Sequence, residues 1–419
     1  MTNNQLKRRE FIKGFSMLAG ATMLSSNSWL SSVLAQEAGS TSVVRLGVIG
    51  VGSRGKLLTT LLLANPGVEI VAYCDNYLPN LEEAGNMIGN KARAFTNYKN
   101  LLEMEEIQGV VIATPLHAHA HISIDAMQKG KHVFCEKAMA ITPSECLDML
   151  MASRETGRIL QIGHQRLFSI RYLLGIEMIR EGKLGQITQI RACWHRNNDW
   201  RRPVPSPELE RKINWRLYRE YSRGLMTELA THQIQVANWV LQEVPVEISG
   251  SGSINYWKDG REVFDNVNLV YTYPSGSHLI YDSLISNKKY GCEEQVMGPL
   301  GTLEMETAKI YLENPPPAPG IIQLLNQIEK NVFDVVPIGG PSWVPEDPYE
   351  DKGRYITEAL NSDGTDMQME AFVNSVRENR GIPGNLEEGY YAGVACLLGD
   401  QAMMERKVVT WPDEYMLTK

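Results

Sequence analysis

The sequence lacks an excess of positive charge. Its 41 lysines and arginines stand against 49 aspartates and glutamates, for a net charge of −8. A protein that grips a phosphate backbone needs a basic face, so nucleic acid is not expected as a partner. Cysteines are few: six in 419 residues, at 74, 135, 146, 193, 292 and 396, with no C-x-x-C spacing. They read as small core residues, and no structural disulfide is expected. Past the N-terminus no apolar run approaches the roughly 20 residues that a membrane-spanning helix needs. Aromatic residues are 8% and charged residues 21%. Those ordinary globular values exclude disorder, collagen and coiled coil for the whole chain. The length calls for two or three domains.

What is present begins with an address. Lys7-Arg8-Arg9-Glu10-Phe11-Ile12-Lys13 leads into a mildly apolar stretch, and Val33-Leu34-Ala35 offers the residues of a cleavage site. The order matches a twin-arginine signal over 1–35, and with it a periplasmic location. That route carries folded proteins, so an exported nucleotide enzyme is expected to hold its cofactor tightly.

Residues 43–49 are a short β-branched run that leads into Gly50-Val51-Gly52-Ser53-Arg54-Gly55. A helical pattern over 56–64 stops at Asn65-Pro66-Gly67, and a second strand, 68–74, ends in Asp75. Strand, glycines, helix, strand and terminal acid in this order point to a dinucleotide site. Gly50 permits the tight turn, Gly52 the approach of a pyrophosphate, and Gly55 close packing of helix on strand. Asp75 accepts from ribose hydroxyls and repels a 2′-phosphate, and neither Asn76 nor Tyr77 supplies a cation, so NAD is favoured over NADP. Strands at 109–114, 132–135 and 158–162 alternate with helices at 119–129 and 143–156. This is an α/β Rossmann domain, a doubly wound parallel sheet, over 43–163.

Ligands of such sheets lie at the carboxyl ends of the strands. The candidate cofactor residues are therefore Gly50, Gly52, Ser53, Arg54, Gly55, Asp75, Thr114, Pro115, His119, Glu136, Lys137, Gln165 and Arg166. His117, His119 and His121 alternate with alanines. Their place after a Thr-Pro loop argues for cofactor and capping roles, and no metal is expected.

Gly130-Lys131-His132-Val133-Phe134-Cys135-Glu136-Lys137, preceded by Thr114-Pro115-Leu116-His117-Ala118-His119, resembles the Gfo/Idh/MocA oxidoreductases, named for glucose–fructose oxidoreductase and inositol dehydrogenase. The stretch from Arg223 to Gln235 is similar to a later motif of that family. The resemblance implies an α+β C-terminal domain over 164–419 with a large open, mostly antiparallel sheet, whose outer face builds a dimer or tetramer. Strand-like runs at 187–195, 246–257, 267–273, 279–286 and 302–305 agree. The loops 314–320 and 339–353 are expected as lids or subunit arms.

The resemblance also implies that Lys137 and His232 meet the reacting hydroxyl, His232 as general base, with Glu228 one turn earlier on a helix over 225–241. Three positions depart from the family pattern. Ala138 stands in place of proline where a cis peptide is possible, Glu228 in place of aspartate, and Gln235 in place of a second aspartate. His195, Asn197, Asp199, Trp200, Trp215, Arg216 and Tyr218 join Glu228 and His232 as candidate sugar contacts, being dense in hydrogen-bonding groups and aromatic faces.

Three readings follow. The first is an exported, NAD-dependent oxidoreductase that oxidises a ring hydroxyl of a sugar or glycoside, C3 foremost, and returns the hydride to a second sugar. The second is a glycosidase working by transient oxidation, elimination, hydration and re-reduction, which Tyr218 or His195 acting as an extra base would favour. The third is a sugar-binding protein without catalysis.

Overall fold

A computed structural model describes residues 42–313, 327, 352–358 and 362–417. The expected signal, the loop 314–320 and nearly all of 339–353 lie outside the described residues.

Six strands form the first sheet: β1 (Val44–Ile49), β2 (Val68–Cys74), β3 (Arg93–Phe95), β4 (Gly109–Ile112), β5 (His132–Cys135) and β6 (Leu160–Ile162). All pair in parallel, in the order β3-β2-β1-β4-β5-β6. The order reverses between β1 and β4, and a crevice opens at their carboxyl ends. Alternation along the strands sends Leu46, Val48, Val111 and Phe134 to one core and Val110, Ile112, Val133 and Cys135 to the other. The helix Pro143–Thr156 shows how local sequence sets its own limits. Thr142 and Glu145 form a reciprocal capping box, Pro143 opens the first turn, and Gly157 closes the helix at φ 64°.

Among the described residues the second sheet has nine strands. These are β7 (Gln189–His195), β8 (Glu247–Ser253), β9 (Asn266–Thr272), β10 (His278–Leu284), β11 (Cys292–Gly298), β12 (Gly301–Glu304), β13 (Lys309–Leu312), β14 (Arg354–Tyr355) and β15 (Val409–Thr410). The order is β14-β13-β12-β11-β7-β10-β9-β8-β15. Only β7 and β10 run parallel. Ile190, Ala192, Leu269, Tyr271, Leu279 and Tyr281 face inward, while Val270 and Ile280 face out. The run at 246–257 is a strand only to Ser253, because the Asp265 carboxylate gathers the N–H groups of Asn255, Tyr256 and Trp257 into a loop. The strand β11 carries Glu293, Glu294 and Gln295 and has no apolar period that a sequence reading could find.

The helix Asn385–Glu405 is the spine between the two sheets, and its glycines let both sides approach. A Cβ on Gly389 would lie 2.6 Å from Ile162, one on Gly393 3.2 Å from the Cys146 sulfur, and one on Gly399 2.3 Å from the Tyr271 hydroxyl. The chain also returns to the first core late. Met369, Phe372, Val373 and Val376 of the helix Thr365–Glu378 pack with Leu46, Leu58, Val111 and Phe134. Phe372 is fully buried, its ring 5.8 Å from that of Phe134. Phe372→Ala is expected to cost about 3–5 kcal/mol. Urea unfolding followed by fluorescence checks it, as a fall in the transition midpoint.

Candidate functional site

The glycine turn at the end of β1 separates what the chain needs from what a ligand needs. A Cβ on Gly55 would sit 1.9 Å from the Gly50 carbonyl oxygen. One on Gly50, at φ +86°, would sit 2.7 Å from the Ala113 carbonyl carbon. The turn itself demands both glycines. A Cβ on Gly52 would meet nothing nearer than Asn80 Nδ2, at 3.6 Å. Gly52 therefore serves no packing of the chain. It keeps clear the space before the helix Ser53–Leu63, whose N-terminus has no side-chain cap and no acid in its first turn. Those N–H groups and the dipole end suit a pyrophosphate.

Asp75 ends β2. Its carboxylate accepts from Val51 N at 3.0 Å, Tyr77 N at 2.8 Å and Asn80 Nδ2 at 3.2 Å, which fixes it beside the glycine turn. Arg54 Nε donates to Glu136 Oε1 at 2.7 Å, joining the start of the helix to the end of β5. Thr114 Oγ1 and Gln165 Oε1 are buried without a hydrogen-bond partner. Cleared space, bare helix end and orphaned polar atoms together fit an NAD laid along the strand ends. Folding adds a cation that the local sequence did not reveal. Lys212, from the second domain, donates to the Asn76 carbonyl at 2.8 Å and lies 5.7 Å over the Tyr77 ring.

Lys137 follows β5 and donates to the Glu228 carbonyl at 2.7 Å. The Lys137–Ala138 peptide is cis. The helix expected over 225–241 begins as a π-helical turn, Met226–Ala230, and becomes regular at Thr231. Such turns displace carbonyls from the usual ladder and recur at functional sites. The Glu228 carboxylate receives Arg216 Nε at 2.7 Å and the Ser222 hydroxyl at 3.4 Å. Burial pushes the Glu228 carboxyl up, but Arg216 and Lys137 more than offset it and hold it below its ordinary value. Burial lowers Lys137, and Arg216 and Arg54 lower it further against the pull of Glu228 and Glu136. His232 is 3% exposed. Burial, then Lys137 and Arg166, keep it neutral, well below the usual histidine range. Its Nδ1 is buried without a partner. The chain thus holds a neutral imidazole and a destabilised lysine at one strand end, the pair that proton transfer from an alcohol needs.

Trp215 packs on Leu116, Ala138 and Ile141, and the Arg216 guanidinium lies 4.2 Å over its ring. These two candidates therefore stand at the Lys137 end of the crevice. Several others do not reach it as free groups. His195 pairs with Asp282 and meets Tyr290, on the outer face of the second sheet, whereas its neighbour Trp194 faces inward against His232 at 5.5 Å. Strand alternation puts the two side chains on opposite faces. The Tyr218 hydroxyl donates to Glu210 at 2.7 Å. Asn197 bridges to Ser286, Asp199 accepts from Arg201 N and, through its carbonyl, from Arg261, and Trp200 packs against the core. These groups brace their own loop. His119 is buried with one ring nitrogen at the Ala138 carbonyl, 2.9 Å, and the other at that of Thr114, 3.0 Å, which leaves neither for a cofactor. Arg166 is buried among Glu294, Cys292 and the rings of Tyr172 and Trp194. Pro115 turns the chain after β4 toward His119. Among the described residues no group of three His, Cys, Asp or Glu could hold a metal ion, and no helix is long and apolar enough to cross a membrane.

Comparison with known proteins places both halves of the chain. Residues 44–164 match the model of an oxidoreductase family with an NAD-binding Rossmann fold, and 175–304 match the GFO/IDH/MocA C-terminal domain. An inositol 2-dehydrogenase of Salmonella typhimurium is 28% identical over 202 residues, which are 48% of this chain and 55% of that protein. A glycosyl hydrolase family 109 protein of Shewanella is 30% identical over 185 residues, 42% of this chain and 39% of that protein. The chain thus spans about half or less of the length of these relatives. Aldose-aldose oxidoreductase of Caulobacter crescentus, solved with glycerol, shares the fold with a TM-score of 0.66 over 88% of this chain and 100% of its own, at 19% identity.

The glycine geometry gives a paired test. Gly52→Ala should fold with a melting temperature near wild type and bind NAD at least tenfold more weakly. Gly55→Ala should lose stability outright, because its Cβ has no space beside the Gly50 carbonyl. Calorimetry with and without NAD separates the two.

Proposed function

Because the chain belongs to the Gfo/Idh/MocA oxidoreductase family, we propose that it is an NAD-dependent enzyme that oxidises a ring hydroxyl of a sugar or glycoside, C3 foremost, to a ketone. The observation that carries this reading is the meeting of Lys137, Glu228 and His232 at the end of β5, on the same edge of the sheet as the glycine turn and joined to the helix after it by Arg54 and Glu136. NAD, held at the glycine turn and Asp75, would supply the acceptor for the hydride of the carbinol carbon. His232, held neutral, takes the hydroxyl proton. Lys137 hydrogen-bonds the reacting oxygen while its link to the Glu228 carbonyl orients it. Arg216 keeps Glu228 ionised and in place to accept from a neighbouring hydroxyl.

The reading extends to a location and a cofactor habit. Arg8-Arg9 and the apolar stretch behind them support export by the twin-arginine route, where a retained NAD would be recycled by a second sugar. Lys212 supports retention, since it ties the second domain to the adenosine end of the crevice. The outward Val270 and Ile280 of the second sheet support a homo-oligomer through that face. The likeness to a family 109 glycosyl hydrolase supports the alternative of redox-neutral glycoside cleavage. His195 and Tyr218 are engaged elsewhere and supply no extra base for it.

Lys137→Met and His232→Gln should each lower kcat by about 10²–10⁴ while bound NAD stays stoichiometric. Assay of reduced nicotinamide and product mass over a glycoside panel checks this. A ketone two mass units lighter supports the oxidoreductase, and a free sugar without net reduction supports the glycosidase. Lys212→Ala should speed NAD release several-fold without changing the rate of hydride transfer, read by displacement in stopped flow.

A further inference from the structure

The crevice beside Lys137 gathers more positive charge than its acids balance, in a chain whose net charge is −8. Three pairs are closed: Arg54 with Glu136, Arg216 with Glu228, and Arg166 with Glu294. Lys137 stands on a carbonyl. Two more arginines come from the segment after β7, and among the described residues neither pairs with an acid. Arg196 lies 5.0 Å over the Trp194 ring, and that ring lies 5.5 Å from the ring of His232. Arg202 is set in place by a clamp. Its N–H donates to Asn214 Oδ1 at 2.7 Å, and its carbonyl accepts from Asn214 Nδ2 at 3.0 Å. Asn214 is buried and directly precedes Trp215 and Arg216, so the clamp ties the Arg202 backbone to the turn that carries Arg216. The acids that brace this loop are taken. Glu210 receives Arg201, the Tyr218 hydroxyl and Asn214, while Asp259 receives Arg201 and Arg261.

Arg202 keeps a side open to water. Loss of part of its water, and then the charge of Arg216, lower its guanidinium, and no carboxylate raises it. Arg216 acts in the same sense on Lys137, so the field of these cations reaches the reacting end of the crevice. Like charges held together without an acid cost free energy, and a cleft of one sign draws a ligand of the other. A guanidinium fork with no carboxylate on it suits an oxyanion bound by two parallel hydrogen bonds. The cofactor does not answer for this arginine. Its pyrophosphate has the glycine turn and the bare helix end, and the cation that reaches the adenosine end is Lys212. We propose that the sugar oxidised here is anionic, carrying a carboxylate or a sulfate that seats on Arg202 beside Arg216. The inference rests on the oxidoreductase reading and names the substrate class of the same site. Arg216 then serves two anions, the Glu228 carboxylate through its Nε and the substrate group through the charge it shares with Arg202.

The test offers the NAD-loaded enzyme matched pairs: glucuronate and glucose, galacturonate and galactose, N-acetylglucosamine 6-sulfate and N-acetylglucosamine. Reduced nicotinamide is followed by absorbance. At least one acid should exceed its neutral partner by about 10–100-fold in kcat/KM, chiefly through KM. A uronate preference assigns a carboxylate, and a preference for the sulfated sugar assigns a sulfate. The preference should shrink in about 0.5 M salt, which screens a site open to water. Arg202→Gln should bring it to within about threefold of unity through KM, with kcat for the acid within about twofold of wild type. Arg202→Lys should restore part of it, and Arg202→Glu should reverse it. Calorimetric titration of the NADH-loaded enzyme with the preferred acid gives a readout apart from activity. Arg202→Gln should weaken that binding by about 10–100-fold while bound nucleotide stays stoichiometric. No preference for any acid in wild type, or an unchanged preference in Arg202→Gln, would overturn the anion site and leave the oxidoreductase reading intact. Loss of nucleotide in place of the preference would do the same and give Arg202 to the cofactor. An acid that binds through Arg202 while no sugar reduces the cofactor would overturn the oxidoreductase reading and keep the anion site.

Discussion

The hydrogen bond from the Lys137 ammonium to the Glu228 carbonyl crosses the seam between the two domains, and the site depends on it. Neither end is free to be elsewhere. Lys137 terminates a strand buried on both faces, and Glu228 lies in a wide helical turn that pushes its carbonyl outward. A cation in so buried a place needs compensation, which comes from the Glu228 and Glu136 carboxylates, each in turn held by an arginine. Burial first, and then the same positive surroundings, keep His232 and His164 neutral. The acid–base character of the site is thus a property of the seam and of no single residue.

The seam is held from behind by the helix Asn385–Glu405. Its glycines face the end of β6 on one side and the inner face of the second sheet on the other, so both sheets close to backbone distance. The Asn385 side-chain oxygen accepts a hydrogen bond from Ile162 N at 3.0 Å. The residues after β6, His164 to Arg166, therefore stand at a fixed height against the helix Thr231–Leu241. Arg166, buried on Glu294, anchors that turn in the second domain. A residue first read as a cofactor contact is thus a strut between the domains.

The sequence alone determined the cofactor half of the protein. The glycine turn, Asp75 twenty residues after Gly55, and the alternating apolar runs are local signals, each tied to a backbone requirement that only certain residues meet. Lys137, Glu228 and His232 were singled out through the resemblance to the family's motifs, and spacing added only that Glu228 and His232 lie one turn apart on one helix face. The tertiary structure decided what those signals leave open. Strand parity sent His195 to the wrong face for catalysis, although its neighbour Trp194 touches His232. Paired partners occupied Arg166, Tyr218 and both nitrogens of His119, from 128 residues away for Arg166 and from nearby loops and turns for the other two. Lys212 meets Asn76 across 136 residues, and the His164 ring stands edge-on to that of His232, 68 positions later. Periodicity reports which side of an element is buried. It carries no record of which distant group will arrive there, because that is set by packing.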